Sequence, residues 1–132
     1  MNHFKTILVL FITLVFVSCT SKEPKIHTTI EGVWRCTEIK NNTASQSYLL
    51  DIIRLTSDTT MYVVSNFHNT GDSEFVKLKL TSSKLQLAEQ PTANISIESF
   101  SGTVESLKLI QLQYIVNDSR YTNSISATYT RN

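Results

Sequence analysis

Between residues 28 and 131 the chain is written in short stretches in which apolar and polar residues alternate. Residues 74–80 show it most cleanly, with Val76, Leu78 and Leu80 set against Lys77 and Lys79. The same two-residue period places Ile110, Leu112, Tyr114 and Val116 together, and Ile125, Ala127 and Tyr129 together. Period two puts alternate side chains on opposite faces of a strand, so each stretch predicts a strand with one wet face. Polar breaks such as Asn69-Thr70-Gly71-Asp72 and Asn117-Asp118-Ser119 separate them as turns. The strands expected are 32–39, 48–55, 60–67, 74–80, a short one holding Leu85 and Leu87, 95–105 interrupted by a bend or bulge at Gly102, 107–116, and 124–129. No stretch past residue 28 keeps a helical period, and no connection is long enough for a parallel crossover. Thr numbers 17 and Ser 16, a quarter of the 132 residues, which also favours strands and turns over helices.

About eight antiparallel strands in one small domain predict an all-β, up-and-down β-barrel, with a two-sheet β-sandwich as the alternative. Closure is favoured because it removes the sheet edges that invite aggregation. At eight strands the interior is just wide enough to be filled by side chains or to hold one small ligand.

The first residues read as an address. Residues 7–17 are apolar except for Thr13, follow a short head carrying Lys5, and are too few to span a bilayer. Phe16-Val17-Ser18-Cys19 resembles the lipobox of bacterial lipoproteins. That resemblance implies cleavage before Cys19, acylation of Cys19, and attachment to a membrane through its acyl chains. The organisation expected is a lipoprotein signal peptide at 1–18, the lipidated Cys and a polar tether at 19–30, and the barrel at 31–132. The expected location is the cell envelope, anchored to the outer membrane.

Within the barrel, Gly32-Val33-Trp34 and the terminal Arg131 resemble the Gly-x-Trp and closing Arg of lipocalins. More closely, the layout is similar to small lipocalin-like (calycin-type) lipoproteins of the Bacteroidota. The matching pieces are Gly32-Val33-Trp34-Arg35-Cys36, Ser65-Asn66-Phe67 followed by Gly71, the run from Leu112 to Asp118, and Ala127-Thr128-Tyr129-Thr130-Arg131. The resemblance implies a lipocalin-like barrel in which Arg131 packs on Trp34 and, with Gly32, closes one end.

The net charge of +1 leaves no basic footprint, and no nucleic-acid partner is expected. Three Gly leave little material for a phosphate loop, and two Cys cannot make a disulfide framework. Neither His27 nor His68 belongs to a metal-spaced cluster, so no metal and no cofactor are expected. Cys36 shares a face with Trp34 and reads as a small buried side chain rather than a nucleophile. Asn66, His68 and Asp72 read as turn formers. Glu38 and Asp51 are the strand carboxylates that an acid–base pair would need, and both read as outward charges. Residues 48–55 are apolar on both faces, so either Asp51 or Arg54 points inward.

The function expected is therefore non-enzymatic: a small amphipathic ligand bound in the barrel mouth, with Trp34, Tyr114 and Tyr129 as walls and Asp51 or Arg54 as a polar handle. The alternative is a barrel with a packed interior that serves as an accessory module, contacting a protein or glycan through its hairpin loops. Asp58-Thr59-Thr60 resembles the short acceptor of general O-glycosylation in the same bacterial group, which implies a modified Thr59.

Overall fold

The computed structural model describes residues 28–91 and 95–132. The expected signal peptide at 1–18, Cys19 and most of the expected tether lie outside the described residues. The described residues form eight strands: β1 (Gly32–Lys40), β2 (Ala44–Arg54), β3 (Met61–Ser65), β4 (Phe75–Thr81), β5 (Lys84–Glu89), β6 (Ser96–Ser106), β7 (Leu109–Asn117) and β8 (Thr122–Thr130). Each pairs antiparallel with the next, and β8 pairs with β1, so the sheet is a closed barrel in sequential order. That closure excludes the two-sheet sandwich.

Alternation decides which side chains fill the interior. β1 turns in Trp34, Cys36 and Glu38, β7 turns in Ile110, Leu112, Tyr114 and Val116, and β8 turns in Asn123, Ile125, Ala127 and Tyr129. β2 resolves the ambiguous stretch through its register. Trp34 faces Leu50 and Gly32 faces Ile52, so Tyr48, Leu50 and Ile52 go in and Asp51 goes out. β2 starts at Ala44 rather than at Tyr48, because the hairpin with β1 continues to the Lys40–Ala44 pair through left-handed Asn41 and Asn42. Its first residues are polar and carry no apolar period, which is why the sequence pattern begins too late.

β6 is continuous through Gly102, and its irregularities lie at 97–99 and 104–106. Gly102 is there for close approach rather than for a bend. A Cβ at this position would stand 2.5 Å from Leu112 Cδ2 and 2.9 Å from Leu85 Cβ. The β5–β6 seam rests on the pairs Lys84–Thr103 and Leu85–Gly102, so the strands must come close just there. The Gly102→Ala variant is expected to lose about 1–3 kcal/mol through overpacking, read as a lower urea midpoint. Farther along this seam the Gln90 side chain takes a strand's part, accepting from Ile97 N and donating to Ile97 O, both at 2.8 Å.

The two ends of the barrel differ. At one end Trp34 is fully buried, its Nε1 donates to Ile30 O at 2.8 Å, and the Arg131 guanidinium lies 4.2 Å from its ring centroid. Gly32 sits at φ 115°, a conformation that L side chains rarely adopt, beside Arg131 Nη1. At the other end lie the β1–β2 hairpin, the β3–β4 connection with its single 3₁₀ turn at Phe67–Asn69, and the β7–β8 turn. This second end is the mouth.

Candidate functional site

Glu38 is the one carboxylate among the described residues that is buried inside the barrel, at 1 % exposure. It stands in line with Trp34 and Cys36 on β1, and it faces Ala127 on β8 and Gln46 on β2. Ala127 is small, which leaves room for a carboxylate in a wall of otherwise bulky side chains. Four donors converge on it. Oε1 accepts from Tyr48 Oη at 2.5 Å and from Tyr114 Oη. Oε2 accepts from Gln46 Nε2 at 2.8 Å and faces His68 Nδ1 at 2.9 Å.

The mouth connection brings His68 there. Asn66, His68 and Asn69 all have φ between 54° and 56°, in the left-handed region. Asn66 ties this turn to the wall, donating to Leu49 O at 2.7 Å and accepting from Gly71 N at 2.9 Å. Phe67 is fully buried and packs on Tyr114 with ring centroids 4.9 Å apart. With Phe67 plugged into the core, the turn lays the next side chain over Glu38. A left-handed histidine is a strained choice, and such strain persists only where its surroundings hold it.

Burial pushes the Glu38 carboxyl up, but the His68 hydrogen bond and charge and the Tyr114 and Tyr48 hydroxyls outweigh it. The result is a group held below its ordinary value. Burial also pushes the Tyr48 and Tyr114 hydroxyls well up, so both stay protonated as donors. Cys36, one layer below, has its thiol pushed up to about 12 by burial, against a hydrogen bond from Tyr48 and with the Glu38 charge adding to the rise. Such a thiol is not a nucleophile. The Tyr129 hydroxyl is buried and has no partner among the described residues.

Above this network lies a cavity of about 400 Å³. Its polar lining is Glu38, Lys40, Ser45, Gln46, His68 and Asn69, and Ala44 and Ile125 add an apolar side. The rim is braced, because Asn41 Nδ2 donates to Asn123 Oδ1 at 2.9 Å and Asn41 Oδ1 accepts from Ser124 N at 2.8 Å. No group of His, Cys, Asp and Glu among the described residues could hold a metal ion.

The residues expected to line a ligand are not gathered here. Trp34 is fully buried at the closed end, and Tyr129 lies in the packed interior. Tyr114 is nearest to the mouth, beneath His68, at an Oη–Nδ1 distance of 3.4 Å. Asp51 is on the outer wall, because Leu50 and Ile52 take the inward positions of β2. Arg54 has inward parity but ends β2 at the closed end, where Nε lies 3.7 Å from Glu31 Oε2. Gly32, Trp34 and Arg131 do meet at that end. Thr59 is exposed in the β2–β3 turn, flanked by the hydrogen bond from Thr60 Oγ1 to Asp58 Oδ1 at 2.7 Å. Sequence reasoning passed over Glu38 as an outward charge and His68 as a turn former. For Glu38 the signal was its position two residues from Cys36 and four from Trp34.

No family model matches the chain, and no curated protein matches it in sequence. Its fold does match solved structures. One is a redesigned β-barrel, with a TM-score of 0.58, 10% identity, and coverage of 78% of this chain and 91% of that one. Another is EF1p2_mFAP2b bound to DFHBI, with a TM-score of 0.53, 11% identity, and coverage of 78% and 94%. At these identities the likeness is one of fold.

Proposed function

We propose that this protein is a lipid-anchored lipoprotein of the cell envelope, held at the outer membrane through Cys19, whose lipocalin-like barrel binds a small amphipathic molecule at its mouth without transforming it. The observation that carries the binding is the cavity over Glu38 and His68, polar on most of its wall and apolar at Ala44 and Ile125. The ligand sits in the mouth, not in a deep calyx, because Trp34, Phe67, Tyr114 and Tyr129 fill the interior below. A barrel of the same fold is bound to the small molecule DFHBI, which supports binding as a use of this architecture. A non-catalytic role is supported by Cys36, which is sealed from solvent, and by Asp51, which faces away from His68.

Native mass spectrometry on protein purified from a lipid-containing extract tests the binding. The expected result is a defined adduct that is lost on denaturation and absent from Ala44→Trp, which fills the mouth. An adduct retained in Ala44→Trp would place the ligand elsewhere. The anchor has its own test: Cys19→Ala should release the protein from membranes, and unchanged fractionation would sink the anchor.

A second reading, an accessory module contacting a protein, is favoured by the outer wall of β1 and β2. Val33 pairs with Asp51, whose neighbours on that face are Leu49 and Ile53, and the three apolar side chains are 53–59% exposed. A photo-crosslinker at Leu49 would then capture one defined partner that the same group at Ser126, exposed on β8 at the other flank of β1, does not.

A further inference from the structure

We propose that the mouth takes a small carboxylate, held by the Nε2–H of His68 and the ammonium of Lys40, and that binding it draws a proton onto the imidazole. This rests on the mouth being the binding site. The Glu38 carboxylate receives Tyr48 and Tyr114 on one oxygen and Gln46 and His68 on the other. A carboxylate has about four lone-pair positions, so this one is saturated. Although it is the negative group of the pocket, a cationic ligand would have to displace Gln46 or His68 from Oε2 to reach it.

What remains open is of the other sign. His68 spends Nδ1 on Glu38, and its Nε2 has no partner among the described residues. Lys40 is exposed on the pocket rim, and its ammonium makes no hydrogen bond or ion pair among the described residues, though its charge reaches Asp118. Ser45 and Asn69 add neutral polar groups. An ammonium and an imidazole over a satisfied anion suit an acceptor that carries negative charge. Ile125 and Ala44 provide for a short apolar body, and the rings of Phe67 and Tyr114 beneath stop a long one.

The proton follows from the tautomer. To donate to Glu38, a neutral His68 carries its hydrogen on Nδ1, which leaves a lone pair on Nε2. A carboxylate approaching that lone pair is repelled until a proton from the buffer makes Nε2–H. Binding and protonation are therefore linked, and affinity rises as pH falls until Glu38 and the ligand themselves protonate. The charged and titratable groups around the ring are Glu38 and Lys40 from β1, Tyr48 from β2 and Tyr114 from β7, with Asp118 and Arg120 beyond Lys40. Asp72 and Glu74 are the acids of its own connection.

The test is titration calorimetry on the full chain near neutral pH in two buffers of different ionisation enthalpy, with amide and His68 ring NMR. The probes are benzoate, benzyl alcohol, benzylamine and inorganic phosphate. Benzoate is expected to bind with a buffer-dependent enthalpy that reports proton uptake and to shift the His68 ring. Benzyl alcohol should be about tenfold weaker or worse, the equivalent of ~1.4 kcal/mol. Benzylamine should not compete. Lys40→Gln should weaken benzoate several-fold, and His68→Gln should abolish the buffer dependence. If His68→Gln does not fold, the wild-type pH profile and Lys40→Gln still decide. Phosphate binding as tightly as benzoate overturns the carboxylate assignment, and benzoate binding without proton uptake overturns the proton linkage. Benzylamine or benzyl alcohol moving the mouth resonances where benzoate does not overturns the ligand class but keeps the mouth as a binding site. No probe moving those resonances overturns both.

Discussion

Replacing Trp34 with alanine is expected to lower the unfolding free energy by about 3–5 kcal/mol, read from the urea midpoint at unchanged slope. Three losses combine. The indole is fully buried, and its removal leaves a void at the closed end. Ile30 O loses the donor it meets at 2.8 Å. Arg131 loses the ring under its guanidinium, at 4.2 Å. That guanidinium ties the end together, donating to the carbonyls of Leu107, Glu31 and Thr29, so it connects β8 to the β6–β7 turn and to the segment entering β1. Trp34→Phe keeps most of the packing and should cost about half as much or less. If alanine and phenylalanine were equally mild, the closed end would not be what holds the barrel shut. A domain of this size has about 5–15 kcal/mol in all, so the alanine variant should sit near the edge of folding.

The barrel was legible because period two survives wherever one face is wet and the other buried. It holds through 74–80, 107–116 and 124–129, which became β4, β7 and β8 with small changes at their ends. The period fails where both faces are apolar, as in 48–55. There only the cross-strand pairs Trp34–Leu50 and Gly32–Ile52 decide that Asp51 is outside. It also fails where a strand opens on polar residues, as β2 does at Ala44. Gly102 carried the right signal with the wrong mechanism. Glycine in a strand marks either a bend or a close approach, and the distinction needs the neighbours Leu85 and Leu112.

The candidate site was half legible. Glu38 continues the Trp34–Cys36 face, and strict alternation puts it inside; the general rule that charges point outward overrode the local pattern. His68 was out of reach, because its partners lie on β1 and β7, far away in the chain. Its placement depends on Phe67 choosing the core, and a single aromatic residue in a polar turn does not announce that. The Trp34–Arg131 contact joins the two ends of the barrel sequence and came from family resemblance, since no local pattern links positions so far apart.

Removing the Glu38 side chain as Glu38→Ala is expected to cost about 3–5 kcal/mol, because it strands the groups gathered around the carboxylate. Tyr48 and Tyr114 are buried, and each hydroxyl would be left donating to nothing. Gln46 and His68 lose their acceptor too, but both can turn to the water of the mouth. Glu38→Gln keeps the shape and one acceptor oxygen while presenting an amide NH2 to donors, so about 1–3 kcal/mol is expected. The two variants share a second signature. The folded Glu38 titrates below its ordinary 4.5, so the stability it contributes is fully present above that value and is lost as pH falls toward and through the folded value. Wild-type protein should therefore lose stability more steeply than Glu38→Gln on acidification from about pH 7 to about pH 3, and the gap between their urea midpoints should narrow toward the acid end. Parallel curves across that range would mean that the carboxylate is not held ionised by His68 and the tyrosines. The acid limb thus tests whether the buried network holds Nδ1 of His68 on Glu38 and leaves Nε2 for the mouth.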